Sequence, residues 1–357
     1  MKYIPYVFML LWSVLRGWAF LPRTICQALK GGGFLRWLGL TFSGFRYQQR
    51  KGLPAYTDDI PGDKIHFLNT ANSDAILLES AGHFALIDAG EDSEYPAGKR
   101  FLALPGYEAY VMDYVKRVTR RTARGRAELD FVLGTHAHSD HIGGFDTLIL
   151  DPGVTIGRAY LKPYDGARMR GYERDYWDNE EVHGQMEAAL AARGVPLERD
   201  IPEEPFALGN FRVSFHNPGR RPSGDANDDS VGTLVERGGR RAFLAGDINN
   251  ISGVEHALAK QIGPVDLLKA GHHGHNGSST LAIATGLRPD TVIFTNRGRA
   301  SAGVLGRFIC AGNTRRLLGT GDFGGIVAVF GDDKIDYYAI DEFPEPIPPK
   351  AYKEEPI

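Results

Sequence analysis

Short apolar runs bounded by turn residues fill the chain between residues 63 and 340. They predict strands at 65–70, 74–80 and 83–88 that form a meander, a helix over 106–123, and a buried strand at 129–135. Beyond residue 151 the pattern turns irregular until 179–193, where apolar residues at helical spacing run up to Gly194, a helix stop. Strands at 211–216, 231–237 and 240–246 follow, with a helix at 252–262, a strand leading into residue 271, a helix at 279–286 and a strand at 290–295. Strands at 325–330 and 334–340 close the set. This order predicts an α/β (α+β) fold of two mixed sheets stacked face to face with helices on both outer sides, a four-layer αββα sandwich.

The amino-terminal stretch breaks this pattern and divides the chain into three parts: an apolar and basic segment 1–60, a catalytic-sized domain 61–342, and a proline-rich tail 343–357. Residues 3–21 are almost wholly apolar, interrupted by Pro5, Ser13, Arg16 and Gly17. A helix over such a stretch reaches about 27 Å, close to the thickness of a bilayer's hydrocarbon core. Lys2 precedes it and Arg23, Lys30, Arg36, Arg46, Arg50 and Lys51 follow. That asymmetry puts the following domain on the cytoplasmic side of a membrane. The expectation is membrane contact through residues 1–50; a cleaved signal peptide, with Gly17-Trp18-Ala19 as its small-residue site, and a soluble packing helix are the alternatives. The remaining composition is ordinary for a globular protein, with 43% hydrophobic and 24% charged residues among 357. A formal net charge of −3 supplies no global attraction for nucleic acid. Cys26 and Cys310 form no disulfide framework.

The chemistry concentrates in His136-Ala137-His138-Ser139-Asp140-His141, four potential metal ligands within six residues, directly after the strand at 129–135. A strand end presents such a cluster at the rim of a sheet. His136 and His138 reach toward one ion, while Asp140 and His141, round the following turn, reach toward a second. Two divalent ions about 3.5–4 Å apart share a bridging hydroxide that attacks an ester. A closed structural zinc site is the bland alternative, and such sites are mostly rich in cysteine, which this segment lacks. Further strand ends offer Asp88, Asp247 and a second histidine group, His272-His273-Gly274-His275. One aspartate after a strand is ordinarily a turn residue; several in a chain that already holds the histidine cluster point to ligation.

These segments, together with residues 65–79, Asn227-Asp228-Asp229-Ser230 and the 320–326 turn, resemble the metallo-β-lactamase superfamily, and within it the hydrolase domain of ComEC-like DNA-uptake proteins, over residues 63–340. The resemblance implies His136 and His138 at a first metal, Asp140 and His141 at a second, Asp247 bridging, and either His272 or His273 closing the second site. It implies Asp88 as a carboxylate that orients a ligand histidine, with Asn227 and Asp228 in the same supporting layer. The two ions it implies are zinc or manganese. Where many members carry a further histidine before the bridging aspartate, this chain has the Asn227 to Ser230 turn. The strand alternation around His216 makes that residue an ordinary strand position. The Tyr-Gly-His-Pro segment expected near residue 300 is replaced by Asn296-Arg297-Gly298-Arg299.

Two segments are candidates for substrate contact. Lys116, Arg117, Arg120, Arg121, Arg124 and Arg126 crowd the end of a predicted helix, where cations are favourable in any case. Residues 160–177 interleave Arg168, Arg170, Arg174 with Tyr164, Tyr172, Tyr176 and Trp177, a pattern suited either to binding phosphates and stacking on bases or to bracing a long loop. Arg168, Arg170, Tyr172 and His275 are the candidate substrate residues. The expected activity is metal-dependent hydrolysis of an anionic ester, a phosphodiester such as nucleic acid first, with Asp140 orienting the attacking oxygen and a histidine of the 272–275 group protonating the leaving oxygen. Small phosphoesters, phosphorylated headgroups and lactones are the alternative substrates, and a membrane-tethered metal-binding module is the non-enzyme alternative. No segment singles out a protein partner.

Overall fold

The computed structural model describes residues 52–95, 104–119, 121–219, 224–298 and 300–351. The strands of the first half are β1 (Asp63–Phe67), β2 (Ala75–Ser80), β3 (His83–Ala89), β4 (Glu94–Tyr95), β5 (Ala127–Leu129), β6 (Phe131–Gly134), β7 (Val154–Ile156), β8 (Ala159–Leu161) and β9 (Leu197–Glu198). The second half contributes β10 (Phe206–Leu208), β11 (Phe211–His216), β12 (Gly232–Arg237), β13 (Arg240–Leu244), β14 (Leu267–Lys269), β15 (Thr291–Phe294), β16 (Arg316–Gly319), β17 (Ile326–Phe330), β18 (Ile335–Ala339) and β19 (Lys350–Ala351). One eight-stranded sheet runs β18-β17-β1-β2-β3-β6-β8-β9 and one seven-stranded sheet runs β10-β11-β12-β13-β14-β15-β16.

Strand periodicity explains why three apolar clusters form rather than one. On β1 to β3, Ile65, Phe67, Ile76, Leu78, Ala85 and Ile87 point between the two sheets, where they meet Val213, Phe215, Val235 and Leu244. Their neighbours Leu77, Leu86 and Ala89 point the other way, onto the helices Glu108–Val118 and Phe145–Leu150 and the Asn179–Arg193 helix. On the second sheet Leu234, Phe243 and Leu268 face a third cluster, with Leu258, Phe308 and Ile309 from helices Val254–Ile262 and Ala302–Ala311. Both faces of each sheet are covered, so the strands are apolar on both sides. The result is the αββα sandwich that the element order predicts.

The Asn179–Arg193 helix ends as its sequence predicts, with Gly194 in the left-handed conformation at φ 64. The Glu108–Val118 helix stops five residues short of the predicted 106–123, because Thr119 turns extended (ψ 152). The helix Ala302–Ala311 and strand β16 occupy a stretch with no predicted element. Val304, Leu305, Phe308 and Ile309 bury one face of this helix, but Gly303 and Gly306 lower its intrinsic helix propensity and mask it in the sequence. The stretch after residue 151 also holds β7, β8 and a short helix Gly171–Tyr176. The proline-rich tail is described as far as residue 351 and lies along the surface: Ile347 pairs with Gly106 and β19 with β4. Residues 1–51, which carry the expectation of membrane contact, lie outside the described residues. Among the described residues no helix is long and apolar enough to cross a membrane.

What matters for function is strand direction. β3, β6, β8 and β9 are mutually parallel, as are β13, β14, β15 and β16. Their carboxyl ends lie at one edge of the sandwich, where the loops leaving parallel strands ordinarily build ligand sites.

Candidate metal centre

Each chemically distinctive side chain sits at or just past the end of a parallel strand. Asp88 is the penultimate residue of β3, held at φ 56. β6 leads through Thr135 to His136 and His138, and a single helical turn, Ser139–Ile142, then turns Asp140 and His141 back toward them. β13 leads through Gly246 to Asp247, and β14 leads to His272 and His273, both at φ 50. Non-glycine residues in the left-handed region cost free energy and persist where surrounding contacts impose them. Gly246 has φ +52, and a Cβ there would lie 3.2 Å from Cβ of Ser230 and 3.3 Å from Cβ of Thr135. Glycine lets the Asp247 backbone pass close beneath the first histidine group.

These loops bring all of the sequence-predicted ligands together. His141 Nε2 lies 3.2 Å from Asp247 Oδ1 and 3.9 Å from Asp140 Oδ2. His273 Nε2 lies 3.1 Å from Asp140 Oδ2 and 3.3 Å from Asp247 Oδ2, while His272 Nε2 is 3.8 Å from Asp247 Oδ2. The His136 ring stands 4.6 Å from that of His138 and 4.2 Å from that of His141. Donor atoms of Asp74, His141, Asp247 and His273 fall within 4.8 Å of one another, a metal-binding group of the kind the fold carries. Within that group, Asp74 is ion-paired with Lys269, accepts from Thr295 Oγ1 at 2.5 Å and faces His273 Nδ1 at 3.3 Å. Asp74 therefore sits behind the imidazoles, on the side away from Asp140.

The outward nitrogens of His136, His138, His141 and His273 are held. Asp88 Oδ2 is 2.7 Å from His141 Nδ1, and Glu173 Oε1 is 2.9 Å from His138 Nε2. His136 Nδ1 lies 3.1 Å from Ser230 Oγ and 3.0 Å from Thr135 Oγ1, and His273 Nδ1 lies 3.1 Å from Thr295 Oγ1. On the inward side, His136 Nε2, His141 Nε2, Asp140 Oδ1 and Asp247 Oδ2 are buried with no hydrogen-bond partner. Buried polar atoms are normally satisfied, and fixing one imidazole nitrogen while leaving the other open is how ligand histidines are oriented. The donor set therefore fits divalent cations.

Charge points the same way. Asp74, Asp88, Asp247 and Glu173 are buried and Asp140 is half-buried, with Lys269 the buried ammonium among them. Lys269 Nζ donates to Gly246 O at 2.8 Å and lies 3.4 Å from Asp247 Oδ1 as well as against Asp74. Burial pushes the Asp247 carboxyl up, but His273, His141 and Lys269 outweigh it and hold it well below the usual range. Burial likewise works to depress His141, and Asp247, Asp88 and Asp140 overcome it, raising the imidazolium to about 10. The carboxylates demand positive charge, which divalent ions would supply in place of the protons.

The supporting layer differs from the expected one in part. Asp88 holds His141, as the resemblance implies. Asp228 instead accepts from Ser252 N at 2.7 Å, tying down the 225–252 region, and Asn227 lines the cleft beside the site. The residue of that turn that reaches a histidine is Ser230, whose Oγ also accepts from Asp247 N at 3.1 Å. Glu173 and Lys269 were not singled out by sequence, and Ser230 and Asp74 entered only within the segments that carry the resemblance. Lys269 did carry a signal: a lone charge within an apolar run predicted to be a buried strand. His216 stays on β11, with Nε2 3.3 Å from Ser214 Oγ and its ring edge-on to Phe243.

The substrate candidates scatter. Tyr172 lines a cleft of about 200 Å³ floored by His138 and His272. Arg168 pairs with Asp165 at 3.0 Å, Arg170 with Asp225 at 3.6 Å and Arg174 with Asp175 at 2.9 Å. His275 is exposed, its ring 5.5 Å from that of His272. In the other basic segment Lys116 pairs with Asp151, Arg117 with Glu342, and Arg121 with backbone carbonyls; Arg120 lies outside the described residues.

Two face-to-face mixed sheets with a histidine and carboxylate cluster at the carboxyl ends of parallel strands define a metal-site protein. A family model described as the metallo-beta-lactamase superfamily matches residues 68–295, more than half of the chain, and the chain belongs to that superfamily. It is 25% identical to ComE operon protein 3 of Bacillus subtilis (strain 168) over 177 residues, 49% of this chain and 21% of that protein. It is 24% identical to competence protein ComA of Neisseria gonorrhoeae over 289 residues, 79% of this chain and 34% of that protein. The chain thus spans about a third or less of the length of these curated relatives. Similar solved structures include Zn(2+)-bound PqqB from Methylobacterium extorquens (16% identity, TM-score 0.42, 79% of this chain and 90% of that one). Another is CmlA, a diiron beta-hydroxylase from Streptomyces venezuelae (17% identity, TM-score 0.42, 72% of this chain and 53% of that one).

Proposed function

We propose that this chain is a metal-dependent hydrolase that cleaves a phosphodiester with two divalent ions, zinc or manganese. The observation that carries this reading is the set of inward atoms without a hydrogen bond on His136, His141, Asp140 and Asp247, with the outward imidazole nitrogens of His141 and His136 held by Asp88 and Ser230. In this reading His136 and His138 hold the first ion, Asp140, His141 and His273 hold the second, and Asp247 lies between them. His272, on the His138 side of Asp247, stands where it complements the first ion and stands in for the histidine that the 227–230 turn lacks. When bound, the ions supply Lewis acidity and acidify a water.

The chain's own groups do the rest. Asp140 orients the attacking oxygen. Asp88, Glu173 and Ser230 keep the imidazoles from turning. Lys269 neutralises part of the carboxylate charge beneath the site and keeps Asp247 aimed. His275, exposed at the mouth, donates a proton to the leaving oxygen. The competence names of the two relatives support a phosphodiester over a lactone.

The test is metal analysis of the full chain with hydrolysis of bis-p-nitrophenyl phosphate, single-stranded DNA and a lactone, each compared with Asp247→Ala. Two equivalents of metal and phosphodiester cleavage that the variant loses are expected. A variant that cleaves as fast as the parent rejects the mechanism, and turnover of the lactone alone rejects the substrate class.

A further inference from the structure

The cleft above the histidines has a composition that the proposed reaction does not require. Its walls hold Tyr172, Trp177, Ile251 and three carboxamides, Asn227, Asn249 and Asn276, in about 200 Å³. Trp177 lies 4.5 Å from the His138 ring at 30°, so the indole sits directly beside the reacting centre. Asn227 Oδ1 is buried without a hydrogen-bond partner. Asn249 is braced, donating to Asp225 Oδ1 and accepting from Ile251 N, both at 3.0 Å, and Asn276 Oδ1 accepts from Ser301 Oγ at 2.8 Å. Fixed amides of this kind present donors and acceptors in set directions.

The carboxylates at the wall are engaged inward: Glu173 by His138 and by Ala226 N at 3.0 Å, Asp225 by Asn249 and by Asp228 N at 3.2 Å. The nearby guanidinium of Arg170 pairs with Asp225. A channel for a polyanionic strand needs cations along its length, and the cleft has none among its lining residues. Its volume lies below the roughly 300–1,000 Å³ of pockets that enclose larger ligands, so one ring with its linkage fits and a run of nucleotides does not.

Building on the hydrolase reading above, we infer that this cleft binds a single neutral, planar, hydrogen-bonding ring attached to the scissile phosphodiester, a nucleobase, so that the substrates are small nucleotidyl esters or the terminal residue of a strand. The aromatic pair supplies stacking and the asparagines read the ring edge.

The experiment compares three chromogenic diesters on the metal-loaded full chain: thymidine 5′-(p-nitrophenyl phosphate), the same ester of abasic deoxyribose, and methyl p-nitrophenyl phosphate. The thymidine ester is expected to exceed both others in kcat/KM by about tenfold or more, the scale of one base stacked on an aromatic side chain. In Tyr172→Ala and in Asn227→Ala, each checked for parental metal content, the preference ratio should fall toward one. Equal kcat/KM for all three esters overturns the inference while leaving the hydrolase reading intact. Equal preference for the two sugar-bearing esters overturns the nucleobase in favour of the sugar. Hydrolysis of none of them by parent chain carrying two metals removes the reading on which the inference rests.

Discussion

Asp88 Oδ2 sits 2.7 Å from His141 Nδ1, and the same carboxylate accepts from Thr135 N and Thr135 Oγ1, each at 2.8 Å. One strand-end aspartate thus fixes both the imidazole of the second proposed metal position and the backbone that delivers His136 and His138. Asp88→Asn removes the charge that favours a metal-facing lone pair on His141 Nε2. Loss of such a supporting partner costs about 10–100-fold in metal affinity. Competition with a chromogenic chelator should show one weakened site in the variant, and unchanged affinity at both sites would refute the assignment.

Lys269 is fully buried between Asp74 and Asp247. Lys269→Met leaves two buried carboxylates without their ammonium. Breaking a buried pair by removing one partner costs about 3–5 kcal/mol. Urea unfolding of chelator-treated protein should show a loss of that order. A loss below about 1 kcal/mol, the worth of a surface pair, would mean that the lysine is not the counter-charge of this site.

Removing metal should lower both activity and stability. A ligand that binds only the folded chain adds about 2.7 kcal/mol at a hundredfold excess over its Kd. Chelation should therefore drop the melting temperature by several degrees, and zinc or manganese should restore it together with ester hydrolysis. Identical melting curves with and without chelator would contradict a metal centre.

Glu255 is buried and accepts from the backbone N–H groups of Ser279 and Thr280, at the base of the loop that carries His272 and His273. Burial pushes its carboxyl up from 4.5 to about 7, with the hydrogen bonds from Thr280 and Ser279 opposing. The folded chain therefore keeps a proton that the unfolded chain releases between those two values. Its contribution is full below pH 4.5 and declines as pH rises toward 7, by a ceiling on the order of 3 kcal/mol at 1.36 kcal/mol per unit. In Glu255→Gln, urea stability should slope less steeply downward across pH 5 to 7 than in the parent. Parallel slopes would show that Glu255 is ionised throughout.

The sequence by itself determined the layers and brought out the candidate ligand groups. Strand periodicity and the stop at Gly194 are local, so β1 to β3, β11 to β13 and the Asn179–Arg193 helix could be read where they lie. Two of the candidate ligand groups are local as well: His136 to His141 fit within one strand end and one helical turn, and His272 and His273 are adjacent. The helix Ala302–Ala311 was hidden because Gly303 and Gly306 within it read as helix breakers. Only the tertiary structure decided which polar residues stand behind the imidazoles. Glu173 meets His138 across 35 positions of chain, Ser230 meets His136 across 94 and Thr295 meets Asp74 across 221. Hydrogen bonds at such separations leave no spacing pattern, because they depend on how two sheets stack and on which loops then face each other.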